Sequence, residues 1–425
     1  MAKVFDASSS AVINALAPYL SERIPQATAE NLNEVSKIIL SSADLQNQFL
    51  NVLVNRICRV VITSRLYENP LRSFKLGTEK YGDIVEEIFV NIANAHEYDP
   101  LIAESEVYKR EIPDVGAVFH KMNSRLFYKT TIQQEDLAKA FVSESGMRSL
   151  IAKIVDALYS GANYDEFLSM KNILSVSKEG FAYIKTEAPS DATAKNILTN
   201  IRSASNLLEF MSDEYNAVGV KNFTPKANQV LMIRADVDAI IDVNALAAVF
   251  NLDKAEFQTR KIMVDNFGEG NDDVYAILCD DEFLQVVNNL DKFTEQYNAQ
   301  GDYWNYFWHV WRTYAASPFS NVIAFTSGTI VAATGVTITT ANGTYPKGTN
   351  LQMTATIAPT TATAKGVRWT LEGAEADTYI SATGMVHLGK GQTTNLTIKA
   401  TVISKPTLVA TKVWNPSTGA LSSGT

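Results

Sequence analysis

Four carboxylates, Asp236, Asp265, Asp280 and Asp281, each follow a short apolar run that is expected to form a strand. That is where α/β enzymes often present catalytic groups. The same positions suit helix caps and turns, where an Asp side chain accepts backbone N–H bonds. General acid–base work needs a partner that shares the proton or shifts its affinity, and no partner motif accompanies these four. His96, His120, His309 and His387 are scattered and do not pair at ligand spacing. His120 lies between large apolar neighbours and reads as a packed or interfacial imidazole. Cys58 and Cys279 are far apart, each inside an apolar run, which suits small buried side chains. There is no Walker loop, G-x-S-x-G, H-E-x-x-H or C-x-x-C, and Gly268-Glu-Gly270 runs into Asn-Asp-Asp instead of a dinucleotide fingerprint. The chain is therefore expected to carry no catalytic, cofactor or metal site.

The residues that do stand out are aromatic. Between Tyr303 and Tyr314 lie Trp304, Tyr306, Phe307, Trp308 and Trp311, so this dozen positions holds three of the five tryptophans. Each such side chain buries about 150–250 Å². The segment must therefore lie in a core or against another subunit. Large residues on both odd and even positions suggest a strand or helix covered on both sides. Trp304, Phe307, Trp308 and Trp311 are the candidate core or interface residues here, with Phe74 and Trp369 elsewhere.

The elements that would position them change character along the chain. At 425 residues, two or three domains are expected. Residues 10–57 read as helices, with Leu32, Val35 and Ile39 on one stripe and Leu45, Phe49, Val52 and Leu53 on another, after a candidate cap at Ser42. No piece is apolar enough for a core of its own, which suggests an extended arm. Ile57–Thr63, Leu71–Leu76 and Asp83–Val90 suggest a long projecting hairpin turning through residues 77–82. A second β pair is expected at Val115–Met122 and Leu126–Ile132, joined by Asn123-Ser124. Met147, Leu150, Ile151, Ile154, Val155 and Leu158, then Phe167, Met170 and Leu174, predict one long helix bent near Gly161. Helix and strand alternate over 190–290, including a strand at Val230–Arg234 and a helix at Asp236–Phe250, as in an α/β layer.

After Gly328 the composition shifts. Residues 329–425 hold 23 threonines and seven short β runs, the count of an immunoglobulin-like sandwich. No cysteine lies there, so Trp369 and two sheets are expected to hold the core, with a frayed polar tail from Asn415. The charge divides at the same point: seven Lys/Arg against three Asp/Glu after residue 328, and 30 against 43 before it. An acidic bulk argues against gripping nucleic acid through a basic face, but not against enclosing it. The N-terminus has no apolar signal core and no apolar run is long enough to span a bilayer, which predicts a protein made and used in a cytoplasm.

Several of these stretches resemble one family. Tyr303-Trp304-Asn305-Tyr306, His309-Val310-Trp311, Ala324-Phe325 and Asn69-Pro70-Leu71-Arg72-Ser73-Phe74-Lys75 look like segments of the major capsid protein of short-tailed phages of the phi 29 type. Ile88, Tyr98-Asp99, Arg110-Glu111, Pro113, Phe119-His120 and Ala140–Ser143 match in the same order; the likeness lapses only around 205–225. The resemblance implies an α+β Hong Kong 97-type capsid fold over 1–328. Its parts would be an arm at 1–56, an extended loop at 57–110, a peripheral domain at 111–180 and 301–328, and an axial domain at 185–300. Residues 329–415 resemble a bacterial Ig-like domain of group 2, through Gly348–Pro359, Val367-Arg-Trp369, Gly384-Met-Val386 and Leu396–Ala400, and 416–425 would be a flexible tail.

In function, the resemblance implies a structural protein of the virion that forms an icosahedral head around double-stranded DNA, assembled in the bacterial cytoplasm. Its implied partners are further copies of itself in hexamers and pentamers, a scaffolding protein, a portal connector, DNA bound without sequence specificity, and head fibres. The competing reading is a surface adhesin acting through the Ig-like domain, which should carry a signal peptide and an anchor.

Overall fold

The computed structural model describes residues 9–20, 24–41, 43–52, 67–78, 84–93, 95, 115–133, 156–241, 260–341, 343–375 and 377–423. The run at Ile57–Thr63, Cys58, His96, the first half of the long helix (147–155) and the end of the helix at Asp236–Phe250 lie outside them.

Three helices open the chain: α1 (Ser9–Leu16), α2 (Leu32–Leu40) and α3 (Ala43–Val52). Strand β1 (Lys75–Thr78) comes next, then β2 (Ile84–Val90), β3 (Val115–Lys121) and β4 (Ser124–Gln133). A π-helical turn at Asp156–Ser160 leads into α4 (Gly161–Ser177). The widened turn stands where the bend is expected, and the half of the helix before it lies outside the described residues. Beyond it lie β5 (Ala182–Lys185), α5 (Ala194–Leu207), β6 (Gln229–Arg234), β7 (Arg260–Val264) and β8 (Val274–Asp280). The long pair β9 (Leu284–Asn298) and β10 (Tyr303–Ala316) precedes β11 (Val322–Thr326).

Two sheets organise this body. The peripheral sheet runs β1-β9-β10-β4 and the axial sheet β5-β11-β8-β6-β7. The aromatic stretch is thus a strand, β10, set between β9 and β4, both antiparallel to it. The arm helices do not extend away. Val12, Ile13, Leu16, Val35, Ile39 and Phe49 pack against Trp304, Tyr306 and Trp308, so the arm finds its core on its own sheet. Asn14 fastens the fold-back, donating to Ala27 O at 2.8 Å and accepting from Ala27 N at 2.7 Å.

The pairing differs from what alternation predicts. β1 pairs in parallel with β9, whereas the projecting ribbon joins β2 to β3. Nor do β3 and β4 form a hairpin. Between them, the Asn123 side chain donates to Tyr314 O at 2.7 Å and accepts from Tyr314 N at 3.0 Å. The amide acts as a stand-in peptide unit on β10, so the chain leaves the ribbon and enters the peripheral sheet. Period-2 alternation marks a strand and its faces, but it carries no information about a distant partner.

The C-terminal sandwich comprises β12 (Gly335–Thr339), β13 (Asn350–Gln352), β14 (Thr354–Ala358), β15 (Val367–Glu372), β16 (Tyr379–Ile380), β17 (Met385–His387), β18 (Leu396–Val402), β19 (Val409–Trp414) and β20 (Leu421–Ser423). Its sheets run β12-β14, β13-β17-β16 and β15-β18-β19-β20. Two expectations change here. Trp414, with 0% exposure, is the buried tryptophan of the core, and Trp369 is half-buried at its edge. The tail is not frayed: Asn415 Oδ1 accepts from Ser417 N at 2.8 Å, Gly419 takes φ 68°, and the chain returns as β20 along β19. Asn and Gly supply a tight turn, and Leu421 gives the short strand an apolar side chain packed against the core.

Candidate assembly surfaces and the junction that aims them

One face of β10 links two cores. Trp304, Tyr306, Trp308 and Val310 lie in the core shared with the arm. Tyr314, further along the same face, lies in a second core with Leu71, Phe74, Phe167, Met170 and Leu174. Between the two cores, at Arg312, the aromatic pattern breaks. Arg312 donates through Nη1 to the Glu166 carboxylate. Glu166 is buried in the middle of α4's apolar face, and it also receives Lys75 Nζ at 2.7 Å and Asn69 Nδ2 at 2.8 Å. Asp291 faces the same cluster, and burial raises its carboxyl pKa against the pull of Arg312 and Lys75. Two cations thus meet two carboxylates, and the buried charges balance. A buried ion is tolerated only when paired and hydrogen-bonded, so these contacts fix how α4, β10 and the β1 segment sit together. Asn69 closes the arrangement by accepting from Leu71 N at 2.9 Å.

A second buried charge on α4 ties it to the axial sheet. Lys171 Nζ donates to both Asp265 oxygens at 3.0 Å and lies 4.6 Å from the Phe167 ring centroid. Burial, the largest single influence, would raise the Asp265 carboxyl; the Lys171 bond and charge together with backbone N–H bonds, chiefly that of Asn266, outweigh it and hold the group below the usual carboxylate range.

The other carboxylates singled out by position are also engaged with structure. Asp236 is held below the usual range by the bond from Arg234. Asp280 accepts from Thr224 Oγ1 at 2.8 Å and from Glu282 N at 3.0 Å, and its pKa is pushed up to about 6, chiefly by burial, with Asp281 beside it. The Cys279 thiol, fully buried next door, is pushed well up for the same reason. Among the described residues no group of three His, Cys, Asp or Glu is arranged to hold a metal ion.

The structure separates the residues expected to act together. Trp304 and Trp308 are buried, and Trp308 meets Phe293 (5.6 Å, stacked) and Tyr159 (4.4 Å). Phe307 and Trp311 point from the opposite face and are half-buried beneath cations, with Lys129 Nζ 5.6 Å from the Phe307 ring and Arg125 5.2 Å from the Trp311 ring. Phe74 belongs to the second core, and Trp369 lines a cleft between the sandwich and the body. Sequence reasoning missed Glu166 and Arg312. Their signal was an acid inside the apolar stripe of α4 and a base interrupting the aromatics of β10.

The β2–β3 ribbon has two unlike faces. One packs home: Phe89 stacks on Phe319 at 5.5 Å, Glu87 accepts from Ser317 Oγ, and His120 Nε2 lies 3.1 Å from Glu87 Oε2. The other, with Ile84, Ile88, Val90, Val115 and Phe119, is open; Ile88 and Phe119 are each 59% exposed. Glu86 and Lys121 share this face, so it presents grouped apolar side chains among charges, a composition that suits an interaction surface.

An arm folded on its own sheet, a spine helix between two sheets and a projecting ribbon with an apolar outer face define a shell-forming protein of the Hong Kong 97-type fold. The chain belongs to the Phi29-like phage major capsid protein family, which matches residues 9–326, and a bacterial Ig-like domain of group 2 matches residues 332–411. It is 34% identical over 400 residues to the major capsid protein of Bacillus phage B103, covering 92% of this chain and 89% of that one. Against the major capsid protein of Bacillus phage PZA it is 33% identical over 410 residues, covering 94% and 91%. In fold it is similar to the capsid structure of Staphylococcus phage Andhra, with TM-score 0.50 at 14% identity over 63% of this chain and 86% of that one. It is a structural component of a phage virion that associates with itself, and not an enzyme. The adhesin reading is not favoured. Among the described residues no helix is long and apolar enough to cross a membrane.

Proposed function

We propose that the chain builds an icosahedral head around double-stranded DNA, each subunit laying the open face of its β2–β3 ribbon on a neighbour. The observation that carries this reading is the exposed row Ile84, Ile88, Val90 and Phe119 on a ribbon whose opposite face is anchored. Two-stranded ribbons are marginal alone, and a heterologous contact repeated around a ring closes a capsomer. Assembly in the host cytoplasm with a scaffolding protein and a portal connector, and head fibres on the finished particle, belong to the same reading. The acidic balance before residue 329 supports passive enclosure of DNA, because phosphates meet net repulsion and not a basic grip.

Carrying Ile88→Asp together with Phe119→Asp, the protein should stay folded and soluble but form no closed shells when co-expressed with scaffold, as read by electron microscopy and sedimentation. Normal shells from that variant would remove the ribbon from the interface. Replacing acidic residues that face the packaged DNA by Lys should slow packaging or raise non-specific DNA binding, and unchanged packaging would count against passive enclosure.

A further inference from the structure

The Ig-like domain is not strung on a free linker. Its strand β15 and the turn before it are seated on the body at three places. Lys365 donates through its backbone N to Glu179 O at 2.6 Å and through Nζ to Glu179 Oε1 at 2.6 Å. Arg368 Nη1 donates to Asp213 Oδ2 at 2.5 Å. Gly366 lies so close to Ala217 that a Cβ there would stand 3.0 Å from its carbonyl oxygen. A Cβ on Gly219, which has φ 68°, would stand 2.9 Å from Arg368 Cβ. Contacts made by backbone at this range tolerate little sliding.

Apart from those of Lys365, these contacts fall on loop 212–222, which the Ser212–Asn222 bridge closes at its base. The loop's far side grips the link between β10 and β11. Ala217 N donates to Pro318 O at 3.1 Å, and Asn222 Nδ2 donates to Phe319 O at 3.0 Å. That link is where the ribbon is anchored, through Phe319 on Phe89 and Ser317 on Glu87. Gly116 of β3 closes the circuit: a Cβ there would stand 2.9 Å from the Phe319 ring and 3.6 Å from Ala382 Cβ of the Ig-like domain. A cleft of about 670 Å³ lies in this circuit, with Phe89 and Gly116 of the ribbon on one wall and Trp369 and Tyr379 of the sandwich on the other.

We infer that the Ig-like domain is an intramolecular brace: seated on loop 212–222, it holds the Phe89–Gly116 end of the β2–β3 ribbon through Phe319 and Gly116, the end away from Asn123, and sets the angle at which the ribbon lies against the body. The consequence for shell geometry rests on the assembly reading above; the brace itself does not. It also explains the half-burial of Trp369, which faces a seam between domains.

Hydrogen exchange on the full-length, unassembled protein tests this separately from shell formation. In a variant carrying Lys365→Glu and Arg368→Glu, amides of 84–90 and 115–121 should exchange about tenfold faster, while those of β6 and β18 keep their protection. Restoring one pair in reverse, with Asp213→Arg beside Arg368→Glu, should recover part of the ribbon's protection. Where the charge changes leave residues 213–219 protected, Gly366→Phe, which cannot sit beside the Ala217 carbonyl, is added to force the domain off. Unchanged ribbon exchange in a variant whose residues 213–219 have become exposed would overturn the brace. Failure of shells to form, with ribbon protection intact, would bear on the assembly reading alone.

Discussion

Arg312, two-thirds of the way along β10, is ion-paired to Glu166 in the second turn of α4, with both side chains almost wholly removed from water. Lys75 and Asn69 complete the carboxylate's shell. Glu166→Gln should destabilise the protein by about 3–5 kcal/mol, because it leaves two cations, Arg312 and Lys75, against the single carboxylate of Asp291 and takes the buried Arg312 out of its ion pair. Denaturant unfolding of the soluble subunit measures this. A change below about 1 kcal/mol would mean that water reaches the cluster and shares its charge.

The two faces of β10 make unequal demands. Trp308→Ala removes a buried ring stacked on Phe293 and should cost about 3–5 kcal/mol. Trp311→Ala, on the half-buried face under Arg125, should cost about 1 kcal/mol and leave a folded subunit. Equal losses from both, in the same unfolding assay, would contradict the assignment of faces.

Asp280 gives the body a pH dependence of known sign. Its folded pKa, raised to about 6, lies above the ordinary carboxylate value of 3.8, so the native state holds the proton more tightly than the unfolded chain. Its contribution is full below the lower value and is lost as pH rises through about 6. Relative to the parent, Asp280→Asn should therefore gain about 2 kcal/mol between pH 4 and pH 7.5, discounting the shift for partial solvent access. Paired unfolding curves across that range would show it, and parallel curves would refute it.

The C-terminal strand is structural. Ending the chain after Asn415 strips β20 from β19 and uncovers the edge beside Trp414. The Ig-like domain should lose about 1–2 kcal/mol, visible as an earlier thermal transition with the body's transition unmoved. No change would return these residues to the status of a loose tail.

Much of the fold was legible in the amino-acid order. The aromatic stretch announced a buried element, the threonine-rich segment announced a sandwich, and Asn69–Lys75 together with Tyr303–Trp311 carried the family likeness. These are local signals: side-chain type, period and contiguous motif depend on a few neighbouring residues. The four carboxylates after strands were left without catalytic roles, because chemistry needs a convergent second group and none accompanied them in sequence.

Tertiary structure decided the rest. Which strand β2 pairs with, whether β3 and β4 form a hairpin, and which tryptophan fills the sandwich are contacts between residues far apart in the chain. Alternation is indifferent to partner. Asn123 could send the chain into another sheet only because Tyr314 was waiting there, 191 residues away. Likewise a glutamate in an apolar helical stripe reads as an anomaly until folding brings Arg312 to it across 146 residues. The sequence by itself determined that this chain forms strands, a spine helix and a sandwich suited to a phage shell. Only the packed fold, by bringing distant polar groups within hydrogen-bonding reach and excluding water between them, settled how the ribbon, the spine and the Ig-like domain are set against one another.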